Sequence, residues 1–324
     1  MTEPDEINRS FPVSGIARLN LRNVDGSIDI AAGDAGTVSV RAFKHPGPGA
    51  NQSEIEITQD PDGRVCVITH YLEDVIARLF HPRHHGPARV DYTIRLPKTC
   101  ELDIAFVSGS ARLQGLQGEI ALRSVSGAID LEDLAGGLKI NTVSGPVTAA
   151  HVRLDSNLLL DTLSANVVFA DSTLPANSAS SVSGQVRLQT ELAAGPYQFR
   201  SVSGDVWLAL PSGAGCRVDM HSLSGRLRAG LPASRHTANG GWTRVEFGAA
   251  GSGPDVAFHS VSGDLHLVAP ESWADAEPEP EAGEAPPPAP AEPAGPTPSD
   301  RLELLDRIAR GELSVDEAVN TLKH

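Results

Sequence analysis

Between residues 100 and 270 the apolar residues fall in pairs spaced by two, and the pairs flank one short motif. The motif is Ser/Thr–Val/Leu–Ser–Gly/Ala. It stands at Ser124–Gly127, Thr142–Gly145, Thr162–Ala165, Ser181–Gly184, Ser201–Gly204, Ser222–Gly225 and Ser260–Gly263, with a partial copy at Val107–Gly109. Seven and five residues before each motif end come pairs such as Leu102/Ile104, Ile120/Leu122 and Leu138/Ile140. Two and four residues after it come Ile129/Leu131, Val186/Leu188 and Leu265/Leu267. A spacing of two is strand periodicity. The motif ends at 109, 127, 145, 165, 184, 204, 225 and 263, so the steps are 18 to 21 residues and the last is about twice that. A fixed period of this size predicts stacked repeats.

Each repeat therefore reads as strand, corner, strand and looser turn. Stacking pairs every strand in parallel with its counterpart one coil on. The predicted fold is all-β: a single-stranded parallel β-helix (β-solenoid), right-handed by analogy with other parallel β-helices, plus a small C-terminal α-helical hairpin. The corners are placed at Ser108–Gly109, Ser126–Gly127, Ser144–Gly145, Ser183–Gly184, Ser203–Gly204, Ser224–Gly225 and Ser262–Gly263. Glycine suits them because it lacks a Cβ and tolerates unusual backbone angles. The serine is expected to bond the bent backbone or its own counterpart one coil away. The valine two before the glycine is expected to point into the core. The residue after the motif varies through Ser110, Ala128, Pro146, Asn166, Gln185, Asp205, Arg226 and Asp264, which is no calcium-ligand set.

The same register appears around Gly26, with Leu19, Leu21, Ile28 and Ile30 inward and Asn23 and Asp25 in the serine slots. The strand-like runs that follow, up to Val90–Leu96, predict an N-terminal β-region that caps one end. The double step before Gly263 reads as one coil carrying a loop or hairpin insertion. Residues 1–12 are expected to be disordered and 13–270 to form the solenoid, with 13–100 as its N-terminal region and 101–270 as the repeats.

From 271 to 298 the chain turns to Pro, Glu and Ala, with nine prolines. That composition predicts an extended linker. Residues 299–324 then carry two apolar stripes. Leu302, Leu305 and Ile308 form the first, and Val315, Val319 and Leu322 the second, which opens on the capping box Ser314–Glu317. A hairpin this short cannot bury enough apolar surface alone, so those six residues are expected to bind a partner or a second copy.

Charge changes the picture little. Of 41 acidic residues, 13 lie in residues 271–324. The body is only mildly acidic, which argues against nucleic-acid binding. Three cysteines, Cys66, Cys100 and Cys216, are sparse and odd in number, as expected of reduced thiols. The N-terminus shows no apolar leader and no run reaches transmembrane length. The expected location is therefore cytoplasmic.

Candidate chemistry is thin. His81, His84 and His85, with His70 upstream, could bind metal, but Pro and Gly flank the segment and it lacks regular ligand spacing. It reads as an exposed loop. Polysaccharide-cleaving β-helices use outer-face carboxylates, and Asp103, Asp130, Asp161, Asp205 and Asp264 are available. Asp205 and Asp264 share a column, but the double step would place them about 14 Å apart, too far for a direct pair. No nucleophile elbow, phosphate loop or zinc spacing is present. No catalytic residue, cofactor or metal is assigned.

The opening Leu19–Ile30, the strand Val90–Pro97 and the Ser–Gly repeats together resemble the bacterial putative-adhesin β-strand-repeat family, over roughly residues 13–270. Residues 301–323 resemble the short helical hairpin called SHOCT-like. In YvlB- and LiaX-type envelope-stress proteins it accompanies the same repeats, usually at the N-terminus. The resemblance implies a scaffold without catalytic activity and a role in envelope or stress signalling. Surface adhesion or carbohydrate binding is the alternative, and a polysaccharide-cleaving enzyme the remote one.

Overall fold

The computed structural model describes residues 5–46, 53–71, 88–192, 195–210, 215–230, 233–239, 241–248 and 253–269. The chain divides into two compact units, Met1–Ala276 and Glu277–His324, and all described residues lie in the first. The His81–His85 segment, the linker and the hairpin with Leu302, Leu305, Ile308, Val315, Val319 and Leu322 lie outside them. Among the described residues the structure is all-β, with 26 strands in one continuous network that does not close on itself. The chain forms a β-solenoid.

Each coil contributes one strand before the corner and one after it. The first row runs through β8 (Thr99–Phe106), β10 (Gln117–Ser124), β12 (Ala135–Thr142), β15 (Leu158–Thr162), β17 (Asn177–Ser181) and β19 (Tyr197–Ser201). The second runs through β9 (Ser110–Gln114), β11 (Ala128–Glu132), β13 (Val147–Ala150), β16 (Val167–Leu174), β18 (Val186–Leu192) and β20 (Val206–Ala209). A two-residue strand, β14 (Arg153–Leu154), bridges the rows. Register is parallel and in step: Ile120 lies beside Leu102 on one side and Leu138 on the other. Such stacking places identical columns one above the next, so Leu122, Ile140, Leu160 and Phe199 fill one continuous core.

Coil order departs from sequence order at both ends. At the N-terminal end β6 (Val65–Tyr71) and β7 (Val90–Leu96) form the outermost coil. The first coil in sequence, β2 (Ala17–Asn23) and β3 (Ser27–Ala32), is tucked beneath it. There β2 pairs with β6 and β8, and β3 with β7 and β9. The C-terminal end repeats the device. The outermost coil is β21 (Cys216–Ser222) and β22 (Leu227–Ala229). The last coil in sequence, β25 (Asp255–Ser260) and β26 (Leu265–Val268), lies between it and β19/β20. The double step does hold a hairpin, β23 (Ala233–Asn239) and β24 (Trp242–Phe247). It also holds this exchange of coils, which sequence distance does not reveal.

Antiparallel strands seal the outer coils. At the N-terminal end β4 (Thr37–Lys44) pairs with β7, β1 (Asp5–Pro12) with β4, and β5 (Ser53–Gln59) with β6. At the other end β24 pairs with β21, and β23 with β24. An antiparallel strand interrupts the parallel stack and leaves no matching column to continue it.

The N-terminal end is further fastened by Asp91. Its carboxylate accepts the Ser27 N–H at 2.7 Å and meets His45 Nε2 at 2.5 Å and Arg89 Nε at 3.3 Å. Burial alone would raise the Asp91 pKa, but these partners outweigh it and hold the carboxyl at about 2. A depressed pKa means stability that is present above the ordinary carboxylate value and lost as pH falls through about 2. Asp91→Asn is expected to cost about 2 kcal/mol at neutral pH. In urea titrations the gap from wild type should narrow between pH 4 and pH 2.

Candidate interaction surface

The corners place side chains differently from the expectation. Strand alternation continues through the first motif residue, so Ser124, Thr142, Thr162, Ser181 and Ser201 point inward and are buried. Their hydroxyls are satisfied locally. Ser124 Oγ donates to the Gly127 carbonyl at 2.9 Å and accepts the Gly127 N–H at 3.0 Å. Ser181 and Ser201 donate to Gly184 and Gly204 in the same way. The next two residues both face outward, and the glycine turns back in. The valine column is therefore outside the solenoid, not in its core. An inner hydroxyl can replace an apolar group here because the bent backbone supplies both its partners.

The outward serines stitch coils together. Ser126 Oγ donates to the Val107 carbonyl at 3.1 Å, Ser144 to Val125 at 3.3 Å, Ser203 to Val182 at 3.3 Å and Ser262 to Val202 at 3.3 Å. Ser183 reaches Leu163 and Ser224 reaches Val261 likewise. Ser108 bonds both the Val24 carbonyl and the Asp25 carboxylate. The corner glycines are there for space. Gly145, Gly184, Gly204 and Gly263 each sit against the backbone of the adjacent coil, where a Cβ would collide, and at Gly127 it would strike the Phe106 ring. Only Gly26 and Gly109 among the corners need positive φ, at 124° and 98°.

The outward column forms a ridge. In spatial order it reads Val24, Val107, Val125, Val143, Leu163, Val182, Val202, Val261 and Leu223. With one rung per strand spacing it runs roughly 38 Å. Exposure is highest at the C-terminal end, 46% at Val202, 48% at Val261 and 84% at Leu223, against 42% at Val107 near the other end.

Beside those three rungs lies a row of one arginine and two histidines. Arg200, His259 and His221 occupy one column in successive coils. The two imidazoles stack at 5.1 Å with an interplanar angle of 13°, and Trp242 stands 6.2 Å from His221. The row borders a shallow cleft with Gly241, Ser222, Ser260, Leu223 and Val261. Among the described residues no carboxylate pairs with Arg200, His221 or His259. The neighbouring Asp219 is taken by Arg244 at 2.5 Å. Across the corner, Arg187, Trp207, His266 and Arg228 form a second column. Trp207 and His266 stack at 3.7 Å, and Arg187 lies 5.2 Å from the Trp207 ring centre. Burial lowers the His266 pKa, so this stack holds a neutral imidazole near pH 7.

The carboxylates weighed for catalysis are largely occupied. Asp205 and Asp264 are in adjacent coils, not two apart. Asp205 accepts the Asp264 N–H at 2.8 Å, and Asp264 accepts the Arg226 N–H at 2.8 Å and pairs with Arg228 at 3.1 Å. Asp103 is held by Arg22 and Arg123, and Asp130 lies by Arg112 and Thr148. Asp161 is exposed. Among the described residues no group of three His, Cys, Asp or Glu could hold a metal ion, and no helix is long and apolar enough to cross a membrane. Cys100 and Cys216 are free and buried, and Cys66 is partly exposed. Burial raises all three thiols, to about 12 at Cys100 and about 11 at Cys216.

Three solved structures share features with the chain. A "putative lipid binding protein" from Parabacteroides distasonis ATCC 8503 is 15% identical with a TM-score of 0.49, over 82% of this chain and 97% of that one. A "putative adhesin" from the same organism is 14% identical with a TM-score of 0.43, over 82% and 98%. A "putative cell adhesion protein" from Clostridium sporogenes ATCC 15579 is 11% identical with a TM-score of 0.26, over 82% and 100%. No curated protein matches the chain. The family profile described as Toastrack DUF4097 matches residues 16–268, from the tucked first coil to the end of the tucked last one. The chain belongs to the Toastrack DUF4097 family.

Proposed function

We propose that this protein is a non-catalytic interaction solenoid that holds a partner against the C-terminal end of its corner ridge. One observation carries the reading. The apolar rungs Val202, Val261 and Leu223 become most exposed where they run beside Arg200, His259 and His221. Apolar rungs next to an arginine and two stacked imidazoles suit a protein segment that mixes apolar and acidic side chains. Stacking already buries part of each valine against its neighbours, so the inner rungs need no partner. Leu223, at the end of the column, lacks that cover. The hairpin expected over residues 299–324 would supply a second contact, with Leu302, Leu305, Ile308, Val315, Val319 and Leu322 as its faces. Its SHOCT-like resemblance extends the reading to envelope-stress signalling. Adhesion to an extended surface polymer is the alternative, favoured by the length and regularity of the ridge.

The test compares three forms of the full chain: wild type, the variant Arg200→Ala/Leu223→Ser/His259→Ala, and a deletion of residues 299–324. Each is used to capture partners after cross-linking in the source cells. The surface variant is expected to lose a specific protein at least tenfold, with its circular dichroism unchanged. Identical capture by wild type and the surface variant would overturn the site. Retention instead on an anionic polysaccharide column, abolished by the same variant, would favour adhesion.

A further inference from the structure

The first strand row ends in an unshared edge at each end of the solenoid. At the N-terminal end the edge is β5, which pairs only with β6 among the described residues. At the C-terminal end it is β23, which pairs only with β24. Both strands are seven residues long. Every residue of β23 is exposed.

Their charges are opposite. The only charged side chains on β5 are Glu54 and Glu56, both exposed. On β23 the ionisable residues are Arg235 and His236. Glu56 also touches His70 at 2.9 Å, and Arg235 faces Glu246 across the hairpin, where Arg217 lies 3.8 Å from that carboxylate. Charges on edge strands commonly prevent edge-to-edge pairing. Here they disfavour only like edges. Two β5 strands would oppose glutamates, and two β23 strands would oppose arginines, whereas β5 against β23 joins opposite signs.

Strand direction agrees. β5 runs against the first row, because it is antiparallel to β6. β23 runs with that row, because two antiparallel steps separate it from β21. When one solenoid is placed head to tail on another with their first rows aligned, β23 and β5 meet antiparallel. The order β21, β24, β23, β5 and β6 then alternates without a break, and antiparallel edges pair readily. At the C-terminal end the second row stops at β22, which is only three residues long, so the first row carries the junction.

We infer that the protein associates with further copies of itself head to tail, β23 of one copy pairing with β5 of the next. The contact is heterologous, so it does not close on two copies. It propagates into short filaments unless a rotation closes a ring. The partner of this surface is a second copy of the chain, distinct from the partner proposed for the Arg200 row.

The test uses the full chain in sedimentation velocity over a hundredfold range of concentration. Wild type is expected to show a concentration-dependent series of species that shortens as salt rises. Two variants break opposite ends: Glu54→Lys/Glu56→Lys and Arg235→Glu. All three positions are solvent-facing, and circular dichroism checks the fold. Each variant alone should remain monomeric. An equimolar mixture should restore the concentration-dependent series, because the native Arg235 of the first variant meets the native Glu54 and Glu56 of the second, and the two reversed ends are again opposite in sign. A monomeric wild type at all concentrations overturns the inference. Association that survives in both single variants, as the C-terminal hairpin would give, also overturns it. So does a mixture that stays monomeric.

Discussion

Gly145→Val is expected to destabilise the solenoid by about 3 kcal/mol or more, lowering the melting temperature by about 10 °C. Gly145 is fully inside the corner stack, and its φ is not in the left-handed region. The cost is steric. A Cβ there overlaps the Gly127 carbonyl oxygen and comes within 2.7 Å of its carbonyl carbon and 3.1 Å of its nitrogen. All three are backbone atoms held in a parallel ladder, so no flexible side chain can move aside. The coils must spread at the corner, and the Ser144 and Thr142 bonds on either side go with them. The chain supplies its own comparison at Ala165, which occupies the same slot and is completely buried. One methyl is thus accommodated at a single corner, and Gly145→Ala should cost clearly less than valine. Val143→Ser, one column outward, should change stability by no more than about 0.5 kcal/mol. Thermal melts followed by circular dichroism separate the three.

Ending the chain after Pro254 is expected to unfold far more than the segment removed. If coils stacked in sequence order, the cut would trim one end and leave residues 216–229 docked on 197–209. In the observed order β25 and β26 lie between those two coils. Removing them takes away the parallel partner of β21 and of β22 at once. It also removes Val256, Phe258, Leu265 and Leu267, all buried in the core. What remains is the β21–β24–β23 meander with an open apolar face, too small to stand alone. Hydrogen exchange should show residues 216–247 losing protection entirely while residues 99–192 keep theirs. Repeats interact mainly with neighbours, so the damage stays at one end.

The period and the strands were legible because Leu102, Ile120 and Leu138 repeat both their type and their spacing. The corner was legible as a corner, but not its inside and outside. Valine is the more apolar residue and reads as core, yet Ser124 takes the inner position because Gly127 offers it a donor and an acceptor. Of glycine's two advantages at a corner, most of these glycines use the missing Cβ for close approach, and only Gly26 and Gly109 use the freedom of a positive φ. Coil order was not legible at all. Nothing in the spacing from Gly204 to Gly225 and Gly263 says which one lies next to Gly204. That ignorance hid the candidate surface, since Arg200, His259 and His221 form a column only after the exchange. It also separated Asp205 from Asp264, which touch. The polar contacts inside the N-terminal end were missed for a related reason. Asn23, Thr69 and Tyr92 are far apart in sequence, and the tucked first coil brings them within 3.0 Å of one another through Thr69.

The most direct test is disulfide formation between ridge positions. Val202 and Val261 are exposed rungs of adjacent coils, about one strand spacing apart, within the Cα separation a disulfide spans. Val202 and Leu223 are two rungs apart, about 10 Å, too far to bridge. Two double variants, Val202→Cys/Val261→Cys and Val202→Cys/Leu223→Cys, are oxidised under mild conditions and mapped by mass spectrometry. An outward ridge with a tucked last coil predicts rapid cross-linking of 202 with 261 and none of 202 with 223. Cross-linking of 202 with 223 and none of 202 with 261 would mean that the coils follow sequence order, and would contradict the account.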